Sequence, residues 1–90
     1  MTSFKVLFAK SAHKEFKSCP NKTQDKIVEA LQMVSTNPFS DLLQVKKLKG
    51  APSLYRIRIG DWRIVYEIRK DAQTIVVIKI GHRKDIYRFI

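Results

Sequence analysis

Two runs of alternating residues, Leu54 to Ile59 and Trp62 to Ile68, flank the dipeptide Gly60-Asp61. Alternation at period two is the signature of a half-buried strand. Glycine followed by a polar residue suits a two-residue type II′ turn, because glycine takes a positive φ at the first central position. The pattern therefore predicts a tight hairpin with fixed register. Ile59 should face Trp62, Arg58 should face Arg63, and Ile57 should face Ile64. Arg56 should face Val65, and Tyr55 should face Tyr66. Side chains alternate between the faces of a strand. One face then carries Tyr55, Ile57, Ile59, Trp62, Ile64, Tyr66 and Ile68, an apolar surface suited to receive helices. The other carries Arg56, Arg58 and Arg63, with Glu67 further off.

Like charges directly opposite one another cost a sheet roughly 0.2–1 kcal/mol per pair. A chain selected for folding alone would place Glu or Thr at one of these positions. The arginine cluster points to an anionic ligand, and the guanidinium fork favours phosphate because it can engage two oxygens at once. The same pattern also suits a solvated basic face. A register slip by one residue would exchange the two faces.

The remaining chain supplies a cover for the apolar face. Phe4 to Ala9 reads as a short strand with Phe4, Val6 and Phe8 on one side. Ser11 is the expected N-cap of a short helix that stops before Pro20. Asn21 is the expected cap of a second helix, with Gln24 three residues on as a loose capping box. Ile27, Leu31 and Val34, with Val28 alongside, form an apolar stripe that ends at Asn37-Pro38. Phe39 to Pro52 reads as a loop, or a loop with a short turn of helix, carrying Lys46, Lys47 and Lys49. Thr74 to Ile80 reads as a strand broken by Gly81, followed by a basic and aromatic tail from His82 to Ile90. Strand, helical hairpin and strand meander together imply an α+β layer structure, with helices over one sheet face.

At 90 residues the expectation is one domain, 1–90. The 18 Lys and Arg against 8 Asp and Glu give a net charge of +10, which calls for a polyanionic partner. A lone Cys19 suits a reducing cytoplasm better than a disulfide-stapled secreted domain, and it reads as a plain thiol beside Pro20. No signal peptide is visible in Met1 to Lys10, and the apolar run Ile75 to Ile78 is too short to span a bilayer. With two His, one Cys and no paired carboxylates at ligand spacing, no metal site is expected. The three glycines, at 50, 60 and 81, build no phosphate-cradling loop, and no cofactor is expected. RNA needs neither, because its own 2′-OH can attack the adjacent phosphate once a protein orients the backbone, stabilises the charge and moves protons. Tail residues His82 and Tyr87 have suitable chemistry for the proton steps, although each also suits a plain surface position. His13, on the first helix, reads as a surface residue.

Several segments in this order resemble the RelE branch of the RelE/ParE toxin superfamily. They are Lys47-Leu48-Lys49-Gly50, Tyr55-Arg56-Ile57-Arg58, Gly60-Asp61-Trp62-Arg63-Ile64-Val65-Tyr66, and Gly81-His82-Arg83 with Tyr87. The resemblance covers essentially the whole chain. It implies the RelE-like fold, with an N-terminal strand and a helical hairpin packed on a mainly antiparallel, twisted sheet. It implies a cytoplasmic toxin of a type II toxin–antitoxin system that cleaves mRNA in the ribosomal A site. It also implies an acidic, RelB-like antitoxin, and binding to operator DNA only as the toxin–antitoxin complex. By position, Arg56 and Arg58 match the family's basic strand pair, and Arg63 matches the arginine at the scissile phosphate. Arg83 matches the arginine that stabilises the transition state or protonates the leaving oxygen. Tyr87 matches the tyrosine that orients or deprotonates the 2′-OH. Related branches use a tail histidine, which adds His82 to the candidates. Lys46, Lys47, Lys49, Lys84 and Arg88 are candidates for ribosome or RNA contact, the loop lysines suiting an antitoxin contact or plain solvation equally well.

The same superfamily contains gyrase-inhibiting ParE toxins, which lack the full nuclease set. The presence of Arg56, Arg58, Arg63, Arg83 and Tyr87 together favours the nuclease. A non-catalytic RNA-binding module would show aromatics on the exposed strand face, whereas here they fall on the core side. A membrane-surface role would gather the basic residues on one amphipathic helix.

Overall fold

The computed structural model describes residues 3–37, 45–47 and 54–82. In chain order the elements are β1 (Lys5–Phe8), α1 (Lys10–Ser18), α2 (Asn21–Thr36), β2 (Val45–Lys47), β3 (Leu54–Ile59), β4 (Trp62–Arg69) and β5 (Thr74–His82). The five strands form one sheet in the order β1-β5-β4-β3-β2. β1 runs parallel to β5, and the other neighbours are antiparallel. The α+β expectation holds, and the sheet is mainly antiparallel.

The hairpin has the register that its turn dictates. Ile59 pairs with Trp62, Arg58 with Arg63, Ile57 with Ile64, Arg56 with Val65 and Tyr55 with Tyr66. Gly60 has φ +58°, while Asp61 is not among the residues with positive φ, as a type II′ turn requires. Ile57, Ile64, Tyr66 and Ile68 are buried in the core, and Tyr55, Ile59 and Trp62 pack against it. From the helices come Ala12, Ile27, Leu31 and Val34, which share that core. Burying each of the larger aliphatic side chains contributes about 1.5–3 kcal/mol. Val6 and Phe8 of β1, and Phe4 just before it, pack against the same core.

Four local expectations need correction. Residues 45–47 form an edge strand within the stretch expected to be a loop, pairing Val45 with Ile57, Lys46 with Arg56 and Lys47 with Tyr55. Three residues are too few for an alternation pattern to show. Gly81 does not end β5, which continues to His82 because Trp62 and Arg63 hold His82 and Gly81 in register. The N-cap of α1 is Ala9 and not Ser11, and its backbone carbonyl accepts from the His13 amide with no side-chain cap. The N-cap of α2 is Pro20 and not Asn21. Gln24 makes no capping box there, because its amide instead donates to the carbonyls of Lys17 (3.2 Å) and Cys19 (2.9 Å), tying the two helices at their joint.

Candidate functional site: a basic face on the central hairpin

Cross-strand rows define what the sheet brings together. One row runs Arg58, Arg63, Gly81 across β3, β4 and β5. The adjacent row of that face runs Lys46, Arg56, Val65, Lys79 across β2 to β5. Arg56, Arg58 and Arg63 are thus gathered on the sheet face opposite the helices, as the hairpin pattern implied. Lys46 joins them by register, a neighbour that could be found only by knowing that β2 exists. Lys47 falls in the row of Tyr55 and Tyr66 instead.

The three arginines differ in exposure. Arg58 is exposed, Arg56 is half-buried, and Arg63 is buried at 7%. An evenly solvated arginine face is therefore not what forms. β4 lies in the interior of the sheet, with neighbours on both sides, and Val65 beside Arg63 on this face is fully buried outside the main core cluster. Arg63 folds back over the hairpin and donates from one terminal nitrogen to the carbonyl oxygens of Gly60 and Trp62, each at 3.1 Å. Arg58 donates from Nε to the same Gly60 oxygen at 3.3 Å. The shared carbonyl sits between two cations that would otherwise repel each other across the ladder. Its partial negative charge offsets part of that cost. Both guanidinium groups are drawn to one turn, which concentrates positive charge at the tip of the hairpin.

The nearby acidic side chains are otherwise engaged. Glu67 pairs with Arg69, two residues further along β4. Glu15 pairs with Lys79, which removes that lysine from the basic cluster.

The structure does not bring His82 to the arginines. His82 is the register partner of Trp62, in the row of Ile59, on the opposite face from Arg58 and Arg63. Its ring meets the Trp62 indole edge-on, with centroids 5.7 Å apart. The expected tail candidates Arg83, Lys84, Tyr87 and Arg88, and Lys49 of the loop, lie outside the described residues. Gly81, the register partner of Arg63, stands two residues before Arg83 in the chain.

Two other nucleophilic groups are not poised for chemistry. The Tyr66 side chain is fully buried and stacks on Tyr55 at 6.1 Å, and burial first, then its neighbour Tyr55, pushes its pKa well above the ordinary tyrosine value. Burial first, then Glu15, also raises the Cys19 thiol, which donates to the Glu15 carbonyl at 3.3 Å. Among the described residues no group of three or more His, Cys, Asp or Glu could hold a metal ion, and no helix is long and apolar enough to cross a membrane.

A separate apolar groove of about 400 Å³ opens between the helices and the β1 edge. Val6, Phe8, His13, Phe16, Val28 and Leu31 line it. Sequence periodicity placed Val6 and Phe8 on one side of β1 and Val28 and Leu31 in the apolar stripe of α2, but Val28 is 43% exposed and the groove leaves part of that stripe uncovered.

Comparison with known proteins agrees with this architecture. The family model of the ParE toxin of type II toxin–antitoxin systems matches residues 6–87. The toxin RelE3 of Methanocaldococcus jannaschii is 40% identical, over 94% of this chain and 97% of its own length. The putative toxin RelE1 of the same organism is 33% identical, over 94% of this chain and 96% of its own. Among solved structures, the RelB–RelE antitoxin–toxin complex from Methanococcus jannaschii superposes with a TM-score of 0.78 at 34% identity, covering 94% of this chain and 99% of that one. The isolated RelE toxin of E. coli, at 21% identity and a TM-score of 0.78, shares the fold. The chain therefore belongs to the RelE/ParE family of toxins of type II toxin–antitoxin systems, and these relatives are RelE toxins.

Proposed function

We propose that the protein is a ribosome-dependent endoribonuclease that cleaves mRNA in the A site and so stops translation in the cytoplasm. The observation that carries this reading is the Arg58–Arg63–Gly81 row, flanked by Arg56, with Arg83 following two residues after Gly81. In the proposed reaction the 2′-oxygen attacks the adjacent phosphorus, the bond to the 5′-oxygen breaks, and a 2′,3′-cyclic phosphate and a 5′-hydroxyl result. Arg63 and Arg58 hold the phosphate and balance its growing negative charge, and Arg56 steers the flanking backbone. Tyr87 orients or deprotonates the 2′-OH, and Arg83 stabilises the transition state or gives a proton to the leaving 5′-oxygen, which departs as the hydroxyl. His82, beside Trp62 on the other face, is left outside this set. Lys46, Lys47, Lys49, Lys84 and Arg88 supply phosphate contacts to the ribosome. The nucleophile belongs to the RNA, and the charge stabilisation comes from the chain's own cations.

The partner in the resting cell is a RelB-like antitoxin with an acidic segment, matched to the +10 charge of this chain. The solved relatives in complex with RelB support it. The groove lined by Phe8, Phe16 and Val28 is a candidate landing site for its apolar residues. Operator DNA is bound by the complex and not by the toxin alone.

The test is mRNA cleavage on purified programmed ribosomes, with chelator kept low enough to preserve the ribosome. The expected result is cleavage at A-site codons that survives chelation and falls on the order of a hundredfold or more in Arg63→Ala and Arg83→Ala. A folded protein that leaves the mRNA intact but inhibits gyrase supercoiling would replace this reading with the ParE-type activity.

A further inference from the structure

β5 is held differently at its two ends. From Thr74 to Val77 it has β1 as a parallel neighbour, and the Ala9 amide closes the ladder on the Val77 carbonyl. β1 ends at Phe8, so beyond Val77 that edge of β5 has no strand beside it among the described residues. The register of β4 with β5 also shifts here, between Val65 and Tyr66, which bends the strand. An exposed edge amide at such a bend would ordinarily turn to water. Instead Glu15, on α1, fills the gap. Its Oε1 accepts from the Ile80 amide at 3.2 Å, and its Oε2 pairs with the Lys79 ammonium. One carboxylate thus accepts from a backbone amide on the open edge of β5 and pairs with the side chain of the residue before it. These contacts span 64 and 65 positions of sequence and connect α1 to the end of the sheet. The residues after Ile80 are Gly81, the partner of Arg63, then His82 and Arg83.

We propose that Glu15 is a positioning residue for the cleavage reaction, clamping β5 at Lys79 and Ile80 so that the strand end at Gly81 and His82, from which the sequence continues to Arg83, is held in register with Arg63 and Trp62. This inference rests on the nuclease reading above. It makes no contact between Glu15 and RNA. Its effect is on the alignment of Arg83 with the phosphate held by Arg63, where a displacement of about 1 Å can cost on the order of a hundredfold in rate. Binding of the ribosome through the other cations is untouched, so the loss falls on kcat and not on KM.

The experiment compares wild type, Glu15→Ala, Glu15→Gln, Lys79→Met and Arg83→Ala in ribosome-dependent cleavage, with amide exchange at Ile80 measured by NMR on each. Glu15→Gln keeps one oxygen for the Ile80 amide and gives up the ion pair, and Lys79→Met gives up the ion pair while leaving the Glu15 carboxylate in place. Expected is a kcat lowered at least about tenfold in Glu15→Ala with KM within about twofold. Glu15→Gln should retain most of the rate, and Ile80 exchange should accelerate in Glu15→Ala alone. A folded Glu15→Ala that cleaves like wild type, or a Glu15→Gln as impaired as Glu15→Ala, overturns the proposal. If Glu15→Ala does not fold, Glu15→Asp, one methylene shorter, carries the same prediction. A wild type that does not cleave refutes the nuclease reading instead, while unchanged Ile80 exchange in Glu15→Ala refutes the clamp itself.

Discussion

Arg58 and Arg63 stand directly opposite one another in the hairpin, and both donate to the carbonyl oxygen of Gly60. Their burial differs, so their removal should separate function from stability. Arg58 is exposed, and Arg58→Ala should change unfolding free energy by no more than about 0.5 kcal/mol. Arg63 is buried and bonded to two carbonyls, and Arg63→Ala should cost roughly 1–3 kcal/mol. Urea denaturation of both variants checks the contrast, and equal losses would contradict it.

Gly60 supplies the shared acceptor from a left-handed backbone. Its φ is +58°, and a Cβ built there meets nothing within 4 Å. Space is therefore no obstacle, and strain alone should make Gly60→Ala destabilising by about 1–2 kcal/mol. Gly60→Asn should cost less, since Asn tolerates this region better. Thermal melts of the two variants test the order.

Tyr66 makes a prediction in both mutation and pH. Its hydroxyl is buried with no hydrogen-bond partner among the described residues. Tyr66→Phe should be neutral or stabilising by up to about 1–2 kcal/mol, because it deletes an uncompensated polar group. Burial raises the folded-state pKa above the ordinary value of 10.0. The folded protein thus holds the proton where the unfolded chain has lost it. Its contribution is fully present below pH 10 and declines as pH rises beyond, by about 1.4 kcal/mol per unit. Wild type should lose stability faster than Tyr66→Phe above pH 10 in parallel denaturant titrations. Parallel pH curves for the two proteins would show that the hydroxyl is solvated.

Much of the fold could be read directly from residues 54–68. A two-residue turn leaves no freedom of register, so the cross-strand pairs and both faces followed from the position of Gly60. Elements without such a constraint were less visible. β2 is too short to alternate, and its pairing depends on β3 being beside it. The parallel partner of β1 comes from the end of the chain, a relationship that local pattern does not encode. Arg63 looked solvent-facing because alternation tells the face and not what else covers it. His82 looked like a companion of Arg83 because they are adjacent in sequence, yet its pairing with Trp62 puts it on the opposite side from Arg63. Glu15 gave no signal, because it reads as an ordinary surface residue of a short helix until β5 is found beside it.

The groove predicts how an antitoxin is held. Val28 lines it and is largely exposed, so Val28→Asp should leave stability within about 0.5 kcal/mol of wild type. It should nevertheless weaken an acidic RelB-like partner at least about tenfold, by adding repulsion and removing apolar contact. Calorimetric titration of the folded variant checks this, and unchanged affinity would place the partner elsewhere.

The most direct test of the proposed chemistry is cleavage of a ribosome-bound mRNA carrying a single 2′-deoxynucleotide at the mapped cut site in the A-site codon. Attack by the RNA's own 2′-OH requires that cleavage at that bond disappear while an all-ribose message is cut to a 2′,3′-cyclic phosphate. Cleavage of the deoxy-substituted bond at the normal rate would contradict the mechanism, whatever the arginine variants show.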